Sequence, residues 1–356
     1  MRFRGFRQPS GFALGRLFAV VALAAGPGLA TAQTAEEASF RAVRPEALIP
    51  LGQQDRVTLR VDERAGFDGV SQTDPVSESS INPGPVNQLD AGVELSPNPG
   101  APASVKLTYL YSRVDYAEHP EFRYQHHALG GRLGGRLAGG QWTLGASGEI
   151  WDEGGRHIFD TWGGEASYSH PVRGGASLVA DYRFQRTHYA FARAEADLHQ
   201  GSALVVAPLG RANSFVAGGL TLSRQAARED QIYVGVDPAS GTPVIDLFYR
   251  PYDYWGEAAF ATVRLRNLAG RPLLTGGADL TFQRLRYSAV DYAIDPAAGA
   301  RRHDDVLVAS AFVQYRLTRN IYARLTVQHQ DDWSNLVSVD RHGLGATLGL
   351  RWRWAQ

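Results

Sequence analysis

The chain has no cysteine, one methionine and, among its 36 cationic side chains, a single lysine, Lys106. Without cysteine there is no disulfide framework, no thiol nucleophile, no thiolate metal site and no lipidated N-terminal cysteine. Exported proteins do not need disulfides, so the stability of this one has another source. An excess of charge of either sign is also missing. A formal net charge of +0 gives no support to a nucleic-acid partner or to a polybasic clamp on a membrane. No apolar run reaches the ~20 residues of a membrane-spanning helix. No glycine-rich phosphate loop follows a strand and opens a helix, so nucleotide binding has no support either. What is present is glycine, 39 residues, and aromatic side chains at 10%.

The N-terminus has three parts. Arg2, Arg4, Arg7 and Arg16 precede the apolar run Leu17–Ala25, and Gly26-Pro27-Gly28 breaks it before the small-residue site Ala30-Thr31-Ala32. This is the layout of a secretory signal peptide. The expected organisation is a signal peptide over 1–32, a short periplasmic segment over 33–54 and a single domain over 55–356.

Within that domain apolar and polar residues alternate in segments of about ten, the weak signature of a transmembrane β-barrel. In "HGLGATLGLRWRWAQ" the residues Leu344, Ala346, Leu348, Leu350, Trp352 and Trp354 share one parity, and Thr347, Arg351 and Arg353 share the other. Similar segments recur along the chain, separated alternately by long polar loops and short turns rich in Gly and Pro. The pattern predicts an all-β, antiparallel up-and-down outer-membrane barrel of about fourteen strands. Weak segments near 160–168 and 196–206 leave room for twelve to sixteen. The rival is an exported soluble β-sandwich, which also alternates but buries its apolar face between two sheets.

In a lipid-embedded sheet the apolar parity faces acyl chains and the polar parity faces the interior. The charged residues assigned to the lumen are Arg60, Asp62, Asp90, Glu94, Lys106, Arg132, Glu149, Asp181, Arg183, Arg264, Asp279, Arg316, Arg324, Arg351 and Arg353. Their mixed signs suit a hydrated pore for polar solutes, or equally a salt-bridged core, and argue against strong ion selectivity. Trp352 and Trp354 are placed at one membrane interface, and Tyr111, Trp151, Phe248, Tyr254 and Trp255 at the other.

The closing segment "HQDDWSNLVSVDRHGLGATLGLRWRW" resembles the C-terminal hairpin of the surface lipoprotein assembly modifiers, and "LRVDERAGFDGVSQTDP" is similar to that family's first barrel strand and loop. The matching features are Ser334 and Asn335, the pair Asp340 and Arg341, and the terminal aromatic Trp354. The resemblance implies a fourteen-stranded barrel that moves lipoproteins to the cell surface. Two features depart from it: no helical-repeat domain lies between the signal and the first strand, and Ala355-Gln356 follow the last aromatic. The partners implied are outer-membrane lipid, the barrel assembly machinery, and either a surface lipoprotein client or a small polar solute. No cofactor or metal is expected.

Three clusters have the residue types of hydrolytic sites. His329 with Ser334 and Asn335 resembles a serine activated by histidine, although Ser-Asn is also a plain turn. His303, Asp304 and Asp305 put acids and a histidine near a strand end, where acidic groups are more often solvated surface. His126 and His127 are neighbours in a strand and so fall on opposite faces, where they cannot easily share a metal. None of the three makes an enzyme the leading expectation; transport or export across the outer membrane does, with hydrolysis or adhesion as alternatives.

Overall fold

In the computed structural model the described residues are 56–356, apart from 69–71, 74–79, 82–83, 98–102, 119–122, 191–193, 211–213, 228–230, 237–242, 249–252, 292–299 and 336–340. The expected signal peptide, the N-terminal segment and Asp340 lie outside them.

The strands are β1 (Val57–Asp68), β2 (Gln72–Thr73), β3 (Ser80–Ile81), β4 (Gly84–Leu95), β5 (Ala103–Tyr116), β6 (Tyr124–Leu137), β7 (Gly140–Glu153), β8 (Arg156–Pro171) and β9 (Ser177–Tyr189). They continue as β10 (Ala194–Pro208), β11 (Phe215–Ala227), β12 (Gln231–Val236), β13 (Pro243–Phe248), β14 (Tyr254–Arg266), β15 (Leu274–Asp291), β16 (Ala300–Arg316), β17 (Ile321–Ser334) and β18 (Arg341–Ala355). Fourteen of them close into one antiparallel barrel in chain order, with β1 pairing β18; β2–β3 and β12–β13 are small separate hairpins within long connections. Both segments that read weakly in sequence are full strands, β8 and β10.

Closure follows from the solvent. Lipid offers no partner to a backbone N–H or C=O, so an open sheet edge cannot stand there. The seam ladder pairs β1 with β18 from Thr58↔Ala355 to Asp68↔Gly345, and Gln356 N–H donates to Val57 O at 3.0 Å. The two residues after the last aromatic therefore complete the seam.

The two faces are sorted as lipid requires. Leu129, Leu220, Leu222 and Leu348 point outward and are 63–66% exposed, whereas Asp62, Gln200, Ser223 and Gln225 point inward and are at most 2% exposed. A soluble sandwich would show the reverse, so that reading is excluded. Barrel strands run from 12 to 18 residues, longer than the ~10 needed to cross the hydrocarbon. The excess stands beyond the membrane.

One expectation is corrected here. The alternation of long and short connections fails on the side of the long loops, where 190–193 alone separate β9 from β10 and only Gly154 and Gly155 separate β7 from β8. Their φ values of 56° and 79° form the tight turn whose twist suits a hairpin. A second such turn, Ala138-Gly139, joins β6 to β7 on the opposite rim.

Candidate functional site

The candidate site is the inward wall of the barrel. All fourteen charged residues from Arg60 to Arg353, and Asp62 with them, lie on inward-facing strand positions, as the register of facing strands requires. They form three sectors of different chemistry.

The first sector surrounds the seam, from β16 through β18 and β1 to β5, and is rich in arginine. Arg351 Nε donates to Asp62 Oδ2 at 2.9 Å, joining the two strands that close the barrel. Asp62 is 1% exposed, and Arg64 flanks it at 3.6 Å while also pairing with Asp90. Lys106 Nζ lies 2.6 Å from Glu94. Arg324 stacks over Phe312 at 4.0 Å and donates to Thr326 Oγ1. Arg60, Arg353 and Arg316 add three more cations to the same wall.

The second sector, β6 to β9, has three acids, Glu149, Glu165 and Asp181, beside three arginines, Arg132, Arg136 and Arg183. Arg132 pairs with Glu165, which faces Arg183 across the β8–β9 ladder. Glu149 accepts from His126 Nε2 at 3.1 Å and from Trp151 Nε1 at 3.3 Å, and Arg183 reaches it at 4.0 Å. Asp181 shares the face, opposite Ser167 and Ser202. Because β8 and β9 lie five and six strands from β1 around a ring of fourteen, this balanced wall looks across the interior at the arginine excess of the seam.

The third sector, β10 to β15, is nearly uncharged. Leu204 and Ala217 pack with Val206, Phe215 and Phe260 and with Val179 of the adjoining β9, and Ser202 hydrogen-bonds Thr221 at 3.0 Å. Its central ion pair is Arg264–Asp279 at 2.9 Å, where Ser310 and Thr262 also bond Asp279.

The closing-hairpin residues are anchored to β16. Ser334 Oγ donates to Asp304 Oδ1 at 2.6 Å, and Asn335 accepts from His303 N–H at 2.9 Å and donates to Arg301 O at 3.0 Å. Arg341 opens β18 opposite Asp332, and Trp354 sits on the outward parity at the other end. The proposed couple of His329 and Ser334 is not brought together. His329 faces outward, with Nε2 2.6 Å from Asp331 and Nδ1 2.9 Å from Gly343 O, whereas Ser334 faces inward. In "RRHDD", Asp304 turns inward to Arg302 and Ser334, while Asp305 turns outward to Arg284. His126 and His127 fall on opposite faces as expected. No group of three or more metal-ligating side chains occurs among the described residues.

Two aromatic assignments are corrected. Trp151 and Tyr254 point inward and are 6% and 2% exposed; Trp151 stacks on His126 at 4.0 Å, and Tyr254 packs on Tyr287. Tyr111 and Trp255 do face outward; the side chain of Phe248 lies outside the described residues. Sequence reasoning also passed over Arg64 and Glu165. It missed an outward rim of ion pairs at the ends that carry the long loops: Arg113–Asp115, Arg186–Asp197, Arg284–Asp305 and His329–Asp331–His342. Parity carries the signal for most of these, since each charge occupies an apolar-face position close to a strand end.

A closed sheet with an apolar exterior and a polar, charged interior is an outer-membrane β-barrel of a Gram-negative cell. No family model matches the sequence, and no curated protein does. Among solved structures, the chain is similar to the translocator domain of autotransporter NalP from Neisseria meningitidis, at 11% identity and a TM-score of 0.37 over 96% of this chain and 95% of that one. It is similar to OprB of Pseudomonas putida at 10% and 0.42 over 84% and 93%, and to a mutant of the monoaromatic hydrocarbon channel TodX at 7% and 0.48 over 85% and 91%.

Proposed function

We propose that the protein is a passive channel for small polar solutes across the outer membrane. The observation that carries this reading is the unequal charge of facing walls, with cations in excess of acids around the seam and the two in balance on β6 to β9. Opposed walls set up a transverse field, which orients dipolar solutes and lets them exchange water for wall contacts as they pass. Fourteen strands also make a wider ring than the eight whose interior side chains fill the space. Reconstitution in a planar bilayer tests the proposal: discrete ohmic conductance steps with weak ion selectivity are expected, and a bilayer that stays silent at saturating protein refutes it.

A second reading, translocation of a surface lipoprotein, rests on the closing hairpin and its tie to β16 through Ser334 and Asn335. Its test is genetic. Deleting the gene should then remove a lipoprotein from the cell surface while leaving its total amount unchanged.

A further inference from the structure

Among the described residues, the lipid-facing belt contains a carboxylate that does not belong in lipid. Glu63 is the seventh of twelve residues in β1 and points outward, exposed, among apolar side chains. Leu350 and Leu89 are its ladder partners on β18 and β4, and Val61 and Ala65 flank it on its own strand. Among the described residues no side chain hydrogen-bonds or pairs with its carboxylate. The other outward charges among the described residues lie toward the long-loop ends of their strands, where many form ion pairs. A lone carboxylate at mid-height loses its hydration with nothing in exchange, so an intramembrane ionisable group of this kind calls for a partner.

A complement exists on the same barrel at the same height. Tyr109 is the seventh residue of β5 counted from the same rim, also faces outward, and its hydroxyl lies 2.9 Å from His127 Nδ1. Tyr111 packs against the same imidazole at 5.0 Å. With Tyr109 donating to Nδ1, the ring proton sits on Nε2, the nitrogen free to donate outward. The carboxylate thus lacks a donor where the Tyr–His patch offers one.

Geometry forbids the two from meeting within one barrel, and it selects how they meet between barrels. β5 and β6 lie two and three strands from β1 around a ring of fourteen. That separation is about 60° of the circumference, the angle between the two contact faces of a subunit in a closed ring of three. We infer that three copies associate side by side in the membrane, with Glu63 of each seated against Tyr109, Tyr111 and His127 of the next. Ala65 and Ala91, small and outward beside Glu63, let the walls approach closely. A second outward couple, Tyr182 and His199 at 2.7 Å, sits on β9 and β10, nearly opposite β1, where docking of Glu63 would give open chains instead of a closed ring.

Because the chain has no cysteine, the arrangement can be mapped by disulfides that leave Glu63 and His127 intact. With Ala65→Cys and Leu129→Cys in the full chain in outer membranes, mild oxidation should yield a ladder ending at three copies. Ala65→Cys with His199→Cys should yield none. Adding Glu63→Leu to the first pair should abolish the ladder, and Glu63→Leu alone should convert a trimeric mass in detergent to a monomeric one. Glu63→Gln, which keeps an acceptor, should retain the trimer in part. Heat-modifiable gel mobility confirms that each variant folds. A monomeric wild type, a ladder unaffected by Glu63→Leu, a ladder with the His199 pair, or capture of Ala65→Cys on a different polypeptide would each overturn the inference.

Discussion

At the scale of single residues, the backbone places a β-carbon where one is poorly tolerated. Ala138 has φ of 49° in the two-residue turn between β6 and β7, and only its neighbour Gly139, at 80°, is suited to that region. A left-handed residue with a β-carbon costs ~1–2 kcal/mol, partly offset when glycine replaces it by the greater freedom of the unfolded chain. Ala138→Gly is therefore expected to stabilise the barrel by about 0.5–1 kcal/mol, read as a shift in the urea midpoint in detergent with no change in slope. Side-chain direction was legible at this scale wherever parity was followed strictly. Trp151 and Tyr254 show the cost of leaving it. Glu149 shares a face with Trp151, and Trp255 takes the outward position beside Tyr254, yet the habit of aromatics to sit at interfaces outweighed both. The partners Trp151 found, His126 and Phe159, come from β6 and β8 and could not be read locally.

At the scale of elements, the critical one is the seam, because β1 and β18 come from opposite ends of the domain and must find each other in the correct register. Two features fix that register. Gly66 and Gly349 lie on the inward face of facing strands, and a β-carbon on either would collide with the opposite backbone, at Ala346 O and Glu63 O respectively. Below them, Arg351 and Asp62 pair across the ladder. Gly349→Val is expected to force the strands apart and to lower the yield of heat-modifiable, folded barrel severalfold in a refolding assay. Asp62→Ala removes a buried acceptor while leaving Arg351 in place; a cost of about 1–3 kcal/mol in unfolding free energy is expected, reduced from the fully buried case because Arg351 retains some access to water. Asp62→Asn, which keeps an acceptor, should recover part of it. The alternation that located β1 and β18 was visible in sequence; the glycine contact between them was not, since it depends on which residues of distant strands stand opposite.

At the scale of the whole molecule, closure, strand number and the inversion of its faces were legible because lipid imposes a period of two on every strand. Loop length was less so: the Gly154-Gly155 turn breaks an alternation that the other connections mostly keep. The division of the interior into sectors was hidden too, since a linear list of lumenal charges shows mixed signs and only the order of strands around the ring gathers the cation excess on the seam side. That division makes a signed prediction. Replacing Glu165 and Asp181 by Gln and Asn removes two negative charges from one wall and frees Arg132 and Arg183, so the interior becomes net more positive. Anion permeability relative to cation should rise a few-fold, measured as the reversal potential across a salt gradient. Replacing Arg60, Arg324 and Arg353 by Gln should move the reversal potential the opposite way. Both shifts should shrink as salt is raised from 0.1 M to 1 M, where the screening length falls from about 10 Å to about 3 Å and each wall no longer senses the other. Displacement in the same direction by the two sets, or displacement insensitive to salt, would mean that the charges hold the wall together without acting on what passes between them.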